Sequence, residues 1–139
     1  MDACSELVDV ANRLASASST PRRFLIDLGV HAGGVRRGPL WMLDAASGGR
    51  NRISGRNFRR ELDDGTDGQA RHFAGTVAVA ARIGAPLTRW LSIHVGRDAP
   101  DTADGRLTDK ALDFARLVRS GELPPTASGD WIRAHLCRS

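Results

Sequence analysis

The sequence predicts an all-α protein, a single compact domain of about seven helices over residues 1–139. Helix-capping and helix-ending residues recur along the chain, whereas strand patterns are nearly absent. There is no tyrosine, there are few runs of β-branched residues, and apolar and polar residues do not alternate over any sustained stretch. A chain of 139 residues matches one domain and is long enough to bury a core without a metal ion or a disulfide.

Two helices are predicted at the N-terminal end. The first runs from Asp2 to about Ala17, because its apolar residues recur on one face. Those residues are Leu7, Val10, Ala11 and Leu14. Thr20 is typical of an N-cap and Pro21 of a first helical residue, so a second helix begins there and ends near Gly33-Gly34.

Two short helices are predicted next, one on each side of a loop. The first is PLWMLDAA, which Gly38-Pro39 begins and Gly48-Gly49 closes. The segment GGRNRISG is predicted to be the loop. Ser54 is predicted to cap the second short helix, which continues through Phe58 and Leu62.

A central buried helix over residues 67–84 and its hairpin partner over residues 87–95 form the middle of the predicted fold. The pair Thr66 and Gln69 has the spacing of a capping box. The helix that follows is mostly apolar or small, and its alanines together with Gly75 would let neighbouring helices approach closely. Gly84-Ala85-Pro86 ends this helix, so the next one should fold back against it.

Two more helices complete the predicted fold. Residues 96–105 are expected to form a loop, after which Asp104 or Thr108 caps a helix that ends at Ser120 with Gly121 in the C′ position. The acids of this loop do not fit a calcium-binding EF-hand, because the glutamate required six residues after the glycine is an alanine. A last helix, after two prolines, carries Trp131.

The compartment is expected to be the cytoplasm. The most apolar stretch, residues 73–95, is interrupted by two arginines and a proline, so no membrane span is predicted. The N-terminus carries acids where a secretory signal carries positive charge, although specialised export is an alternative. Cys4 and Cys137 lie near opposite ends and are expected to be free thiols in a reducing compartment. A bridge that joins the two ends is the alternative.

Positive charge is concentrated between residues 20 and 60, which hold nine arginines against Asp27 and Asp44. The clearest cluster lies around a loop and a short helix and comprises Arg50, Arg52, Arg56, Arg59 and Arg60. Clustered arginines bind phosphates, so an acidic partner is predicted for this arginine segment, nucleic acid before acidic protein. The alternative is that its arginines pair with the acids between Glu61 and Asp67 and leave a neutral surface. Phe58 is expected to be a core residue rather than a base-stacking one.

The alternative hypothesis is an enzyme, whose active site would be formed by a second group of residues. Arg71, His72, His94 and Asp98 could serve a small hydrolase-like or effector-type enzyme. In it, His72, His94 and Asp98 would form an acid/base group or a two-histidine, one-carboxylate metal site, and Arg71 would hold an anionic ligand near the helix N-terminus. The interpretation we favour is that the two histidines belong to the core and that Arg71 pairs with Asp67 four residues earlier. No metal ion or cofactor is expected, since the chain contains no phosphate-binding loop, dinucleotide fingerprint or nucleophile elbow.

Whether the protein is an enzyme is thus left open by the sequence, as is its oligomeric state. A third possibility is an adaptor or assembly subunit without chemistry, which would make its contact through exposed Trp41 or Trp131.

Overall fold

The computed structural model describes residues 2–94, 99 and 101–138, and within that part of the chain it contains seven α-helices and no strand. This confirms the all-α fold class and the overall prediction of about seven helices, although eight helical segments were predicted one by one and the segment from Ser54 forms no α-helix. The helices are α1 Ala3–Ala17, α2 Pro21–Leu28, α3 Trp41–Ala46, α4 Gln69–Ile83, α5 Ala85–His94, α6 Ala103–Ser120 and α7 Ser128–His135. Within the described residues, none of these helices combines the length and the apolar character that crossing a membrane requires.

Helix α4 is the central helix, as its small and apolar composition predicts. It contacts α2, α5 and α6, and α1 closes the opposite side of the core by packing on α2 and α7. All four phenylalanines of the chain are fully buried, and the rings of Phe73 in α4 and Phe114 in α6 lie 5.3 Å apart. Phe58 is one of the four, so the expectation that it serves the core is confirmed.

Glycines let α4 approach its neighbour closely. Helix α2 continues as a π-helical turn over Gly29–Gly33, and Gly34 ends it in the left-handed conformation, with φ of 67°. A Cβ atom on Gly33 would lie 2.7 Å from the backbone nitrogen of Gly75, which no real Cβ atom can do. The close packing expected of Gly75 therefore occurs, and it requires glycine at position 33, whereas a Cβ atom on Gly75 would meet only Val35 at 3.9 Å.

The N-terminal ends of two helices differ from the prediction. Helix α4 begins at Gln69 with Gly68 as a cap that makes no side-chain hydrogen bond, so the predicted capping box is wrong. The Gln69 side chain instead donates to Asp63 and Asp64. Helix α6 begins after Thr102, whose hydroxyl accepts from the backbone N–H of Gly105.

The predicted cap at Asp104 or Thr108 is therefore wrong as well. Thr108 lies inside α6 and is 3% exposed. Thr102, which lies six residues before Thr108, satisfies a free N–H group at the start of the helix. The helix therefore begins earlier than predicted and includes part of the predicted loop. At the other end of α6, Gly121 has a φ of 84° and ends the helix as predicted.

The arginine segment does not form the helix predicted from Ser54. Only a 3-10 turn over Arg60–Leu62 is helical, and the residues before it run irregularly beside the C-terminus. The Arg59 backbone N–H donates to the Leu136 carbonyl at 2.8 Å, and the Asn57 carbonyl accepts from Arg138 at 2.9 Å. Burial of Ile53, Phe58 and Leu62 against the core favours this extended path over a helix.

The two cysteines are joined in a disulfide, so the expectation of free thiols is wrong. Cys4 in α1 and Cys137 after α7 are both buried, and 133 positions of sequence separate them. The packing of α1 on α7 brings the chain ends together, a proximity that neither cysteine's local sequence could indicate. The bridge also removes the cysteine-based argument for a reducing compartment.

Candidate functional site

The five arginines of the arginine segment are not equivalent in the structure. Arg50, Arg52 and Arg60 are exposed, and within the described residues their guanidinium groups make no hydrogen bond or ion pair. The backbone of Arg50 is fixed, because its N–H donates to the Gly33 carbonyl at 2.9 Å. These three side chains are open to solvent.

The other two arginines are engaged by the protein itself. The Arg56 guanidinium lies 3.0 Å from a carboxylate oxygen of Asp63 and 3.4 Å from one of Asp67. Arg59 is partly buried and donates from Nη2 to the Ala134 carbonyl, at the end of α7. Its Nε atom is buried and has no hydrogen-bond partner among the described residues. The charge of the segment is thus neutralised in part, at Arg56.

Acids neutralise two arginines near α3. Arg36 donates to both carboxylate oxygens of Asp44, and these bonds, with a further one from the Arg36 backbone N–H, lower the pKa of Asp44 to about 2. The charge of Arg50 acts on Asp44 in the same direction. Arg37 makes an ion pair of 2.9 Å with Asp27, which is 8% exposed.

A basic groove adjoins these pairs. It has a volume of about 540 Å³, and its side-chain lining comprises Arg22, Arg23, Ile26, Arg37, Pro39, Trp41 and Arg82. The Arg82 guanidinium lies 4.8 Å from the centre of the Trp41 ring, a cation–π contact. Burial, and then the nearby charge of Arg22, lowers the pKa of Arg82, so positive charges crowd here. Arg82 could not be assigned to this groove from sequence, because it comes from α4.

The fold places His72 between helices, in contact with α6. Its Nε2 atom is hydrogen-bonded to the Thr108 hydroxyl at 2.8 Å, and the Ser92 hydroxyl of α5 lies 3.5 Å from the same oxygen. His72 is half-buried and Thr108 is buried. A histidine beside two hydroxyls has the composition of a nucleophile–base pair, but the hydroxyl that it contacts is closed off from solvent.

A network of acids lies next to His72. Asp64 accepts from the Thr66 hydroxyl at 2.6 Å and from the Gln69 amide at 2.7 Å. Burial raises the pKa of Asp64, but hydrogen bonds from Thr66, a hydrogen bond shared between the Asp64 and Asp104 carboxyl groups, and the proximity of His72 outweigh it, so that the pKa of Asp64 lies below its ordinary value. These contacts join the turn before α4 to α6, and no sequence pattern predicted them.

His94 and Arg71, which the sequence grouped with His72 as candidate enzyme residues, make contacts of their own. His94 is exposed, and its ring packs against Trp90 with centroids 4.9 Å apart. Arg71 is half-buried and lies beside Gly49 and Gly68; its expected pairing with Asp67 does not form, because Asp67 pairs with Arg56. Asp98 lies outside the described residues. No group of three or more histidine, cysteine or acidic side chains among the described residues has the geometry to hold a metal ion.

The tryptophans named for a possible adaptor role are both partly covered. Trp131 packs between Phe114, at 5.1 Å, and His135, at 4.4 Å between ring centroids. Trp41 lies beneath Arg82. Trp90, which the sequence did not single out, is the more exposed tryptophan at 53%.

Comparison of the chain with protein-family models, with curated proteins and with solved structures found no match. The functional argument therefore depends on the geometry of the chain itself.

Proposed function

We propose that this protein is a small helical binding module that contacts an acidic partner, nucleic acid in the first place, through the arginine segment. The observation that carries the proposal is the exposure of Arg50, Arg52 and Arg60 without an internal acidic partner in the described part of the chain. A guanidinium that is not paired within the protein can pair with a phosphate without first breaking an ion pair.

The backbone that carries these arginines is well anchored. One end of the segment is held to Gly33 and the other to the residues around Cys137. Ile53, Phe58 and Leu62 point into the core and hold the intervening chain. A partner would therefore meet a fixed surface, and binding would cost little ordering of the backbone.

The chemistry favours phosphate contacts over the reading of base edges. The segment is irregular, so it offers no helix or strand ribbon to enter a major groove. Phe58 is buried and cannot stack on a base. We expect binding that depends strongly on salt and weakly on sequence.

The test is fluorescence anisotropy of labelled single-stranded DNA, duplex DNA and RNA with the purified protein, at about 50 and about 200 mM salt. We expect affinity to fall steeply as salt rises. The double variant Arg52→Ala/Arg60→Ala should weaken binding to every sequence and reduce the slope of log K against log salt by about two.

A matched control removes the same charge elsewhere. Arg13 in α1 and Arg133 in α7 are exposed and lie outside the segment, so Arg13→Ala/Arg133→Ala should leave the salt slope nearly unchanged. Arg56→Ala should have a smaller effect than Arg52→Ala, because Arg56 is already paired with Asp63 and Asp67. Equal losses in the segment variant and the control variant would assign binding to net charge rather than to this surface, and no binding at low salt would end the nucleic-acid proposal.

A further inference from the structure

The short helix α3 exposes a group of large apolar side chains. Leu40, which precedes α3, is 44% exposed, and Met42 and Leu43 of α3 are 65% and 64% exposed. No residue of α3 is buried. Single exposed apolar residues are ordinary, but three large ones within four residues at the start of one short helix indicate a contact surface.

Polar contacts, rather than burial of these side chains, hold α3 in place. The chain leaves the protein body at Gly34 and returns where Arg50 donates to the Gly33 carbonyl at 2.9 Å. Between these points Asp44 accepts from the Arg36 side chain and backbone, and the Gly49 N–H donates to the Asp44 carbonyl at 2.7 Å. Leu40, Met42 and Leu43 are therefore not needed to fix the helix.

The basic groove adjoins the segment that carries the apolar group, because Pro39 and Trp41 belong to its lining. Arg22, Arg23, Arg37 and Arg82 line that groove together with Trp41 of α3, and Arg36 is bonded to α3 itself. Two carboxylates, Asp27 and Asp44, neutralise Arg37 and Arg36, and no acid in the described part of the chain lines the groove. We call Leu40, Met42, Leu43 and the groove arginines the α3 surface.

We propose that the α3 surface docks on a membrane that contains anionic lipids. Leu40, Met42 and Leu43 would enter the boundary between headgroups and acyl chains, while the groove arginines contact lipid phosphates. A bilayer with negative charge provides both parts that this surface needs, an apolar layer and a plane of anionic groups above it.

The combination of positive charge and apolar side chains on the α3 surface argues against two other partners. A second copy of the chain would bring an identical net-positive groove against this one, and like charges would oppose that contact. Nucleic acid would satisfy the arginines but would leave three apolar side chains in water. An indole beside arginines, as Trp41 lies beside Arg82, is also typical of the headgroup level of a membrane.

The proposal does not rest on the nucleic-acid function, because the apolar residues lie outside the arginine segment. The experiment is cosedimentation of the purified chain with vesicles of phosphatidylcholine alone and with vesicles that also contain about 30% phosphatidylglycerol. We expect binding to the anionic vesicles only, weakened by a rise in salt from about 50 to about 200 mM.

A variant that keeps all charges tests the apolar contribution. Leu40→Ser/Met42→Ser/Leu43→Ser should lower the partition coefficient at least about tenfold, since apolar burial adds to the electrostatic attraction. The thermal midpoint should change little, because α3 buries no residue. The control Leu87→Ser/Trp90→Ser removes exposed apolar surface from α5, at 49% and 53% exposure, and should bind as the native chain does. Arg23→Glu should also weaken binding.

Insertion of the apolar side chains into the bilayer is measured separately, with a fluorescent probe on the α3 surface. Both native cysteines are bridged, so Met42→Cys supplies a single thiol for a polarity-sensitive fluorophore. Its emission should shift to shorter wavelength with anionic vesicles and stay unchanged with inorganic pyrophosphate, which has the phosphate chemistry but no apolar layer.

Three results would overturn the proposal. The first is an absence of vesicle binding at low salt. The second is undiminished binding by the triple serine variant together with an unshifted fluorophore, which would reduce the contact to charge alone. The third is a dimer in sedimentation equilibrium that the triple serine substitution dissociates, which would assign the surface to a second copy.

Discussion

Neighbouring charges decide what each arginine between residues 20 and 60 can do. Arg52 and Arg56 are four residues apart in similar sequence, yet Arg56 is held by Asp63 and Asp67 while Arg52 faces solvent. The sequence raised both possibilities, partner binding and internal pairing. The structure shows internal pairing for Arg56, and partner binding by Arg52 stays a proposal. Only the path of the backbone, which turns after Phe58, brings the acids to Arg56.

His72 illustrates the same point for a candidate catalytic group. The helical periodicity of α4 placed it toward the protein interior, and the structure finds it half-buried against Thr108. Which side chain it would meet was not predictable, because Thr108 was expected at the start of a helix rather than inside one. The buried contact favours a structural role, and the enzyme interpretation stays a hypothesis.

We expect His72→Ala to lower the free energy of unfolding by about 1–3 kcal/mol, because the bond to a buried hydroxyl is lost and a small cavity remains. Urea unfolding followed by circular dichroism measures this. His94→Ala is the control and should change stability by about 0.5 kcal/mol or less, since that ring is exposed. If the two variants were equally stable, the structural role would be wrong and the enzyme hypothesis would gain support.

The predicted helix boundaries were correct where the sequence offers one capping residue and wrong where several candidates compete. Thr20-Pro21 and Gly121 begin and end helices as predicted. Near α6, Asp104 and Thr108 were the predicted caps, and the structure uses Thr102 instead. Near α4 the acids Asp63 and Asp64 engage Gln69, which removes it from a capping box. Local preference ranks such candidates weakly, and tertiary contacts choose among them.

The approach of the π-helical turn to α4 provides a test at this scale. Gly33→Ala should destabilise the protein by about 1–3 kcal/mol, because the new methyl group meets backbone atoms of α4 that cannot move independently. Thermal unfolding followed by circular dichroism checks it. Gly38→Ala serves as the control, since a Cβ atom there meets no atom within 4 Å. A Gly33 variant as stable as this control would show that the two helices can separate without cost.

At the scale of the whole molecule, the disulfide lies where three segments of the chain meet. Cys4 belongs to α1, Cys137 follows α7, and the arginine segment pairs with the C-terminal residues through Phe58 and Arg59. The bridge thereby supports the backbone on which the proposed binding surface lies. Reduction would act on the chain ends and on this segment together.

Removing the bridge should cost a large part of the stability. Cys4→Ala/Cys137→Ala is expected to lower the free energy of unfolding by about 2–5 kcal/mol, since the bridge closes a loop that spans almost the entire chain. Urea unfolding with and without a reductant is the measurement. Reductant should destabilise the native chain and leave the double variant unchanged. A native chain that is insensitive to reductant and contains two alkylatable thiols would contradict the bridge.

The sequence by itself determined the helical fold class, the central position of α4, the burial of Phe58 and the concentration of positive charge between residues 20 and 60. These follow from periodicity, composition and local caps, which act over a few residues. The tertiary structure alone decided the disulfide, the internal pairing of Arg56, the meeting of His72 with Thr108, and the groove that Arg82 completes beside α3. The disulfide, the contact of His72 with Thr108 and the groove join residues distant in the chain, and such contacts depend on how helices pack rather than on what any one helix contains. The pairing of Arg56 is more local and depends on the path of the backbone from Arg56 to Asp67.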